Sequence, residues 1–178
     1  DWATVANYRK GENPARWKGR LEIMLPAKSA VSKVKHHEAL PYDEIGAFMG
    51  ELEKRDGVSA RGLEFLILTA GRTGEVMGAT WAEIDLDKAI WTIPADRMKA
   101  SKEHRVPLPE KAVTLLRGMQ DTTVSEFVFP GAQPNRPLSN MAFLQLIKRM
   151  GRGGLTAHGF RSTFRDWVAE RTIHSSEV

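Results

Sequence analysis

The chain has 178 residues, 42% apolar and 27% charged, with 26 Lys and Arg against 22 Asp and Glu and a net charge of +4. That composition suits one good-sized globular domain with a short appendage, and the modest basic excess is compatible with an anionic partner or with an ordinary basic surface. Cysteine is absent, which excludes disulfides, thiolate catalysis and cysteine-ligated zinc. No apolar run reaches about 18 residues, so no membrane span is expected. The opening Asp1-Trp2-Ala3-Thr4 has neither the charge pattern of a signal peptide nor an initiator Met, so a processed chain or fragment with a cytoplasmic location is expected.

Residues 1–25 mix Trp2, Val5, Tyr8, Trp17, Leu21 and Ile23 with basic residues, and the turn signal Asn13-Pro14 interrupts them. The segment is expected to be the tail of a preceding helical domain. Residues 26–41, with Lys28, Lys33, Lys35, His36 and His37, lack periodicity and are expected to be a basic linker. Residues 42–178 are then the main domain. Ile45, Phe48, Met49 and Leu52 recur at helical spacing, which predicts an amphipathic helix over 42–55 ended by Asp56-Gly57. Leu63, Phe65, Leu66, Ile67 and Leu68 predict a second, buried helix.

The pattern changes after residue 82. Ile84 and Leu86, then Ile90, Trp91 and Ile93, predict two short strands around Asp87-Lys88-Ala89, and Arg105-Val106-Pro107-Leu108 a third. Asp85 and Asp87 read as a strand end and a turn, not as a metal-binding pair. Helices are predicted at 109–120, 139–150 and 157–171, and the Pro-rich loop from Phe127 to Pro137 separates the first two. The fold class is therefore α+β, mostly α, with a small three-stranded antiparallel sheet.

Several basic residues stand out. His158, Arg161 and Arg165 share one face of the last predicted helix, near its N-terminus, where an anion is favoured. Phe160, Phe164 and Trp167 share another face, expected to be core. By itself the His/Arg spacing is better explained as a solvated basic face. Arg72 follows the buried helix between Gly71 and Gly74, where glycine permits close backbone approach. An Arg fork there can grip two phosphate oxygens, and Glu75 can orient it, although a local surface ion pair fits the spacing as well. Lys99 lies in the polar turn between strands, with Lys102 as a rival, and a lysine in such a turn is ordinarily solvated. His36-His37-Glu38 is a poor metal motif, because adjacent residues rarely face one ion. Walker-type and nucleophile-elbow motifs are absent. Tyr8 and Tyr42 are the only tyrosines, and Tyr42 is expected to cap or pack the first helix.

Taken in order, these stretches resemble the catalytic domain of tyrosine recombinases, in particular phage and genomic-island integrases of the satellite-phage type. The resemblance rests on Leu68-Thr69-Ala70-Gly71-Arg72-Thr73-Gly74-Glu75-Val76 with Trp81-Ala82-Glu83-Ile84-Asp85, Trp91-Thr92-Ile93-Pro94 through Met98-Lys99, Arg105-Val106-Pro107-Leu108, and His158-Gly159-Phe160-Arg161-Ser162-Thr163-Phe164. It runs from about residue 12 onward. It implies that Arg72 and Arg161 clamp the scissile phosphate and that Glu75 supports Arg72. It implies that His158 hydrogen-bonds the phosphate and helps with proton transfer, and that Lys99 protonates the leaving 5′ oxygen. The partner implied is double-stranded DNA at attachment sites, acted on by a tetramer when the protein is full length, with no cofactor, no metal and no membrane. The tyrosine such a pocket serves is expected beyond Val178, and the chain is expected to be a C-terminally truncated catalytic domain, inactive alone and monomeric. A non-catalytic DNA-binding module derived from an integrase is the alternative, and a type IB topoisomerase-like nicking enzyme is less compatible with the N-terminal stretch.

Overall fold

The computed structural model describes residues 2–26, 38–98, 101–121, 125–133, 135–139 and 141–174. It divides into two compact units, residues 1–36 and 37–178. Most of the expected basic linker, residues 27–37, lies outside the described residues, and His36 and His37 with it.

The first unit contains α1 (Trp2–Val5) and α2 (Glu22–Met24). Before α2, the Trp17–Leu21 stretch leaves helical geometry at Lys18 and Gly19. Trp2 and Tyr8 stack at 5.4 Å between ring centroids. Asn13 turns the chain by accepting the Ala15 N–H at 3.0 Å, as an Asx turn does. None of its described residues is buried.

The second unit opens with one 3-10 turn, Tyr42–Glu44, leading into α3 (Ile45–Glu53). It continues through α4 (Val58–Thr69), the short α5 (Thr73–Met77), β1 (Ile84–Asp85), β2 (Ile90–Ile93) and β3 (His104–Pro107). It closes with α6 (Glu110–Gln120), α7 (Ala142–Arg149) and α8 (Ala157–Arg171). The strands form one antiparallel sheet in the order β1-β2-β3, with Ile84 opposite Trp91 and Trp91 opposite Val106. Period-two alternation buries Trp91 and Ile93 and leaves Ile90 and Thr92 partly accessible.

α4 is the hub. All five other helices of the unit pack on it, and Ala60, Leu63, Phe65 and Leu66 are fully buried in it. Its apolar run is therefore core on several sides, not one stripe. Phe65 meets the rings of Trp91 and Phe129 at 5.3 and 5.5 Å, joining helix, sheet and loop. The helix ends at Ala70, which is left-handed (φ 48°, ψ 29°), and the Gly71 N–H donates to the Leu66 carbonyl at 3.2 Å. A Cβ on Gly71 would stand 2.9 Å from Val76 and 3.1 Å from the Thr69 hydroxyl. Close approach, not left-handed geometry, explains the glycine before Arg72.

Two expectations are corrected. Phe160 is core, but Phe164 and Trp167 are 40% and 42% exposed. The two rings line an open groove with Ile45 and Ile67, while Val168 on the same helix is buried. Tyr42 caps α3 only through its backbone, its carbonyl accepting the Ile45 N–H, and its side chain serves the last helix. Its hydroxyl donates to Glu170 at 2.8 Å and accepts from Arg171 Nε at 3.1 Å. The helix α5 has no sequence signature, because five residues carry too few apolar positions to show a period.

Candidate active site

Arg72 is the N-cap residue of α5, with extended backbone geometry. Glu75, three residues on, folds back over it. One carboxylate oxygen accepts the Arg72 backbone N–H at 3.1 Å, and the other pairs with Arg72 Nη1 at 2.6 Å. The glutamate thereby fills the backward half of a capping box while gripping the guanidinium. Arg72 remains 54% exposed at its side chain, and Glu75 only 11%. The cation is thus held from below and open to solvent above.

Arg161 arrives from the first turns of α8. Its Nη1 donates to the carbonyl of Ala70 at 2.5 Å, two residues before Arg72. This bond brings the two arginines' segments together from distant parts of the chain. The contact occupies one N–H of the Arg161 fork. His158 lies one turn earlier on the same helix face and is exposed.

The start of α8 is fixed locally and from outside. Thr156 caps it by accepting the Gly159 N–H at 3.1 Å. Leu155 bridges to Glu38 in a parallel pair. Thr163 donates to the Leu40 carbonyl at 2.6 Å. A Cβ on Gly159 would sit 2.7 Å from the Glu38 carbonyl oxygen. The Glu38–Leu40 strap therefore packs directly on the helix that carries His158 and Arg161, a contact with no local sequence signal.

Lys99 lies outside the described residues. Its rival Lys102 is exposed. Just before Lys99, Met98 packs against the core, and Arg97 reaches back to α5. Arg97 Nη2 donates to the Glu75 carbonyl at 2.7 Å, and Nη1 pairs with the Glu83 carboxylate. Spacing did not mark Arg97, since a basic residue in a polar turn is ordinarily solvated. Among the described residues no group of three His, Asp or Glu is placed to hold a metal ion. No described helix is long and apolar enough to cross a membrane. Two guanidinium groups, fixed by a carboxylate and a carbonyl, can grip an oxyanion through several charge-assisted bonds.

Solved structures define the class of fold. The Tn1549 transposon integrase in complex with a circular intermediate DNA aligns with a TM-score of 0.69 at 15% identity, covering 96% of this chain and 63% of that one. The XerA recombinase aligns at 0.60 and 19% identity, covering 83% and 56%. A lambda integrase tetramer bound to a Holliday junction aligns at 0.59 and 15% identity, covering 84% and 49%. The fold is that of a tyrosine recombinase catalytic domain.

Sequence likeness is closer. Prophage integrase IntZ of Escherichia coli K12 is 41% identical over 145 residues, which are 80% of this chain and 36% of that protein. The integrase of Shigella phage Sf6 is 38% identical over 148 residues, 76% of this chain and 38% of that protein. Residues 38–178 match the phage integrase family, and the chain belongs to that family. It spans little more than a third of the length of these relatives.

Proposed function

We propose that this chain is the phosphate-gripping part of a site-specific DNA recombinase, which breaks and rejoins duplex DNA through a 3′-phosphotyrosyl intermediate. The observation that carries the reading is the joining of Arg161 to Ala70, two residues from the Glu75-clamped Arg72. Arg72 and Arg161 hold the non-bridging oxygens of the scissile phosphate and meet the charge that builds on them in the transition state. His158 hydrogen-bonds the same phosphate. A tyrosine hydroxyl attacks phosphorus and gives its proton to His158, the bond to the 5′ oxygen breaks, and Lys99 delivers a proton to that oxygen. Religation reverses the step, with the 5′ hydroxyl attacking and the tyrosine leaving, so the bond energy is conserved and no nucleotide cofactor enters.

The nucleophile in this reading is not one of the chain's own two tyrosines. Tyr42 is engaged by Glu170 and Arg171, and Tyr8 is stacked on Trp2. The domain division expected from the sequence, with residues 1–25 as the tail of a DNA-clamping domain and 42–178 as the catalytic domain, is part of the proposal. So is assembly of four copies on attachment-site DNA.

The test is covalent trapping on a nicked suicide duplex carrying the attachment site. These 178 residues are compared with the natural chain that contains them. An adduct with the natural chain that disappears on Arg72→Ala supports the reading. An adduct formed through Tyr8 or Tyr42 of the 178 residues overturns the assignment of the nucleophile. Salt-sensitive DNA binding without any adduct points to a non-catalytic DNA-binding module instead.

A further inference from the structure

We propose that Arg97 and Glu83 are a positioning pair that holds Arg72 in its working orientation. The proposal rests on the reading of Arg72 as a phosphate ligand. α5, which Arg72 caps, has only five residues, too few to be stable by its own hydrogen bonds. The Glu75 carbonyl is one of the last four of that helix, a group with no partner inside it. Arg97 Nη2 supplies the partner at 2.7 Å and sets a positive charge near the negative end of the helix.

The other side of the Arg97 guanidinium pairs with Glu83. The second Glu83 oxygen accepts the indole N–H of Trp91 at 2.9 Å. Trp91 is fully buried in the central strand, so the chain of contacts is rooted in the sheet. It reaches Arg72 from two sides. One route runs through Glu83, Arg97 and Glu75 to the guanidinium. The other is packing, since the Trp91 ring would be 3.4 Å from a Cβ on Gly71.

The site is shaped for this guanidinium. A Cβ on Gly78 would stand 2.8 Å from Arg97 Nη2, so any larger residue there displaces it. Glu83 and Arg97 are mostly shielded, at 9% and 23% side-chain exposure, and neither faces solvent as the Arg72 fork does. Lysine cannot replace Arg97, because one ammonium cannot serve a carboxylate and a carbonyl with the geometry of a planar fork.

The experiment uses the natural chain that contains these residues. Single-turnover adduct formation, DNA affinity and thermal midpoint are measured for the parent, Arg97→Lys and Gly78→Ala, with Arg72→Ala as benchmark. Each reaction is run on a suicide duplex with an ordinary scissile phosphate and on one with a methylphosphonate there. The methylphosphonate is uncharged and has less need of a correctly placed cation. The expected result is a loss of about tenfold to a hundredfold in adduct rate for Arg97→Lys on the phosphate. DNA affinity should change little, and most of the loss should be restored on the methylphosphonate, as for Arg72→Ala. Gly78→Ala should show the same pattern, because it displaces the Arg97 guanidinium while leaving that residue unaltered. A variant as fast as the parent overturns the pairing, and so does a defect equal on both substrates, which is what general destabilisation produces. A parent that forms no adduct overturns the functional reading itself, a result distinct from a normal parent with a normal variant.

Discussion

Arg161 donates to the carbonyl of Ala70 at 2.5 Å across 91 residues of chain. The acceptor belongs to a residue held in left-handed geometry at the end of α4, which turns its carbonyl out of the helix. Arg161→Lys keeps the charge and loses the fork. Loss of a hydrogen bond from a charged, half-buried donor should destabilise the fold by about 1–2 kcal/mol. Urea unfolding checks this, and a midpoint equal to that of the parent would mean that the contact contributes nothing to docking α8.

Glu75→Gln separates stability from function. The ion pair with Arg72 is half exposed on the arginine side, so its removal should cost less than about 1 kcal/mol. The orientation of the guanidinium depends on both carboxylate oxygens. Strand cleavage by the natural chain should therefore fall by about tenfold or more. Equal cleavage rates for the variant and the parent would remove Glu75 from any supporting role.

Two glycine substitutions should have opposite signs. Gly159→Ala drives a methyl group to 2.7 Å from the Glu38 carbonyl oxygen, a backbone atom that cannot swing aside. It should destabilise by about 1–3 kcal/mol. Gly118, inside α6, has nothing within 4 Å of an added Cβ, and Gly118→Ala should stabilise by about 0.5–1 kcal/mol. Denaturant titration of both variants tests the strap and the helix together, and a destabilised Gly118→Ala would contradict the open space described there.

Glu64 predicts a pH dependence. Burial in α4 pushes its carboxyl above the ordinary glutamate value, and Arg61, paired with it at 2.7 Å, opposes the shift without cancelling it. The folded chain then binds more protons than the unfolded chain between the two values. Its stability falls as pH rises through that window. Glu64→Gln lacks this loss, so its stability relative to the parent should grow from about pH 4.5 toward neutrality. Thermal midpoints across that range measure it, and a difference that shrinks with rising pH would show that the Arg61 pair outweighs burial.

Duplex binding by the chain should weaken steeply with salt, since each neutralised phosphate releases a condensed counterion. Affinities measured from low to physiological salt test this. A flat dependence would argue against a phosphate-gripping surface.

The elements with strong patterns were legible in the sequence. Ile45, Phe48, Met49 and Leu52 marked α3, the apolar run Leu63–Leu68 marked α4, and the alternation around Trp91 marked the sheet, because helix and strand periods are local properties. The basic residues Arg72, Lys99, His158 and Arg161 could be proposed as a set only through their order along the chain. What tertiary structure alone decided is which groups meet. The bond from Arg161 to Ala70, the reach of Arg97 to Glu75 and Glu83, and the strap of Glu38 and Leu40 on α8 join residues far apart in sequence. No period or spacing encodes such pairs. Phe164 and Trp167 show the same limit from the other side, since helical spacing put them on the apolar face of α8 and only the packing around that helix determined how much of the face is covered.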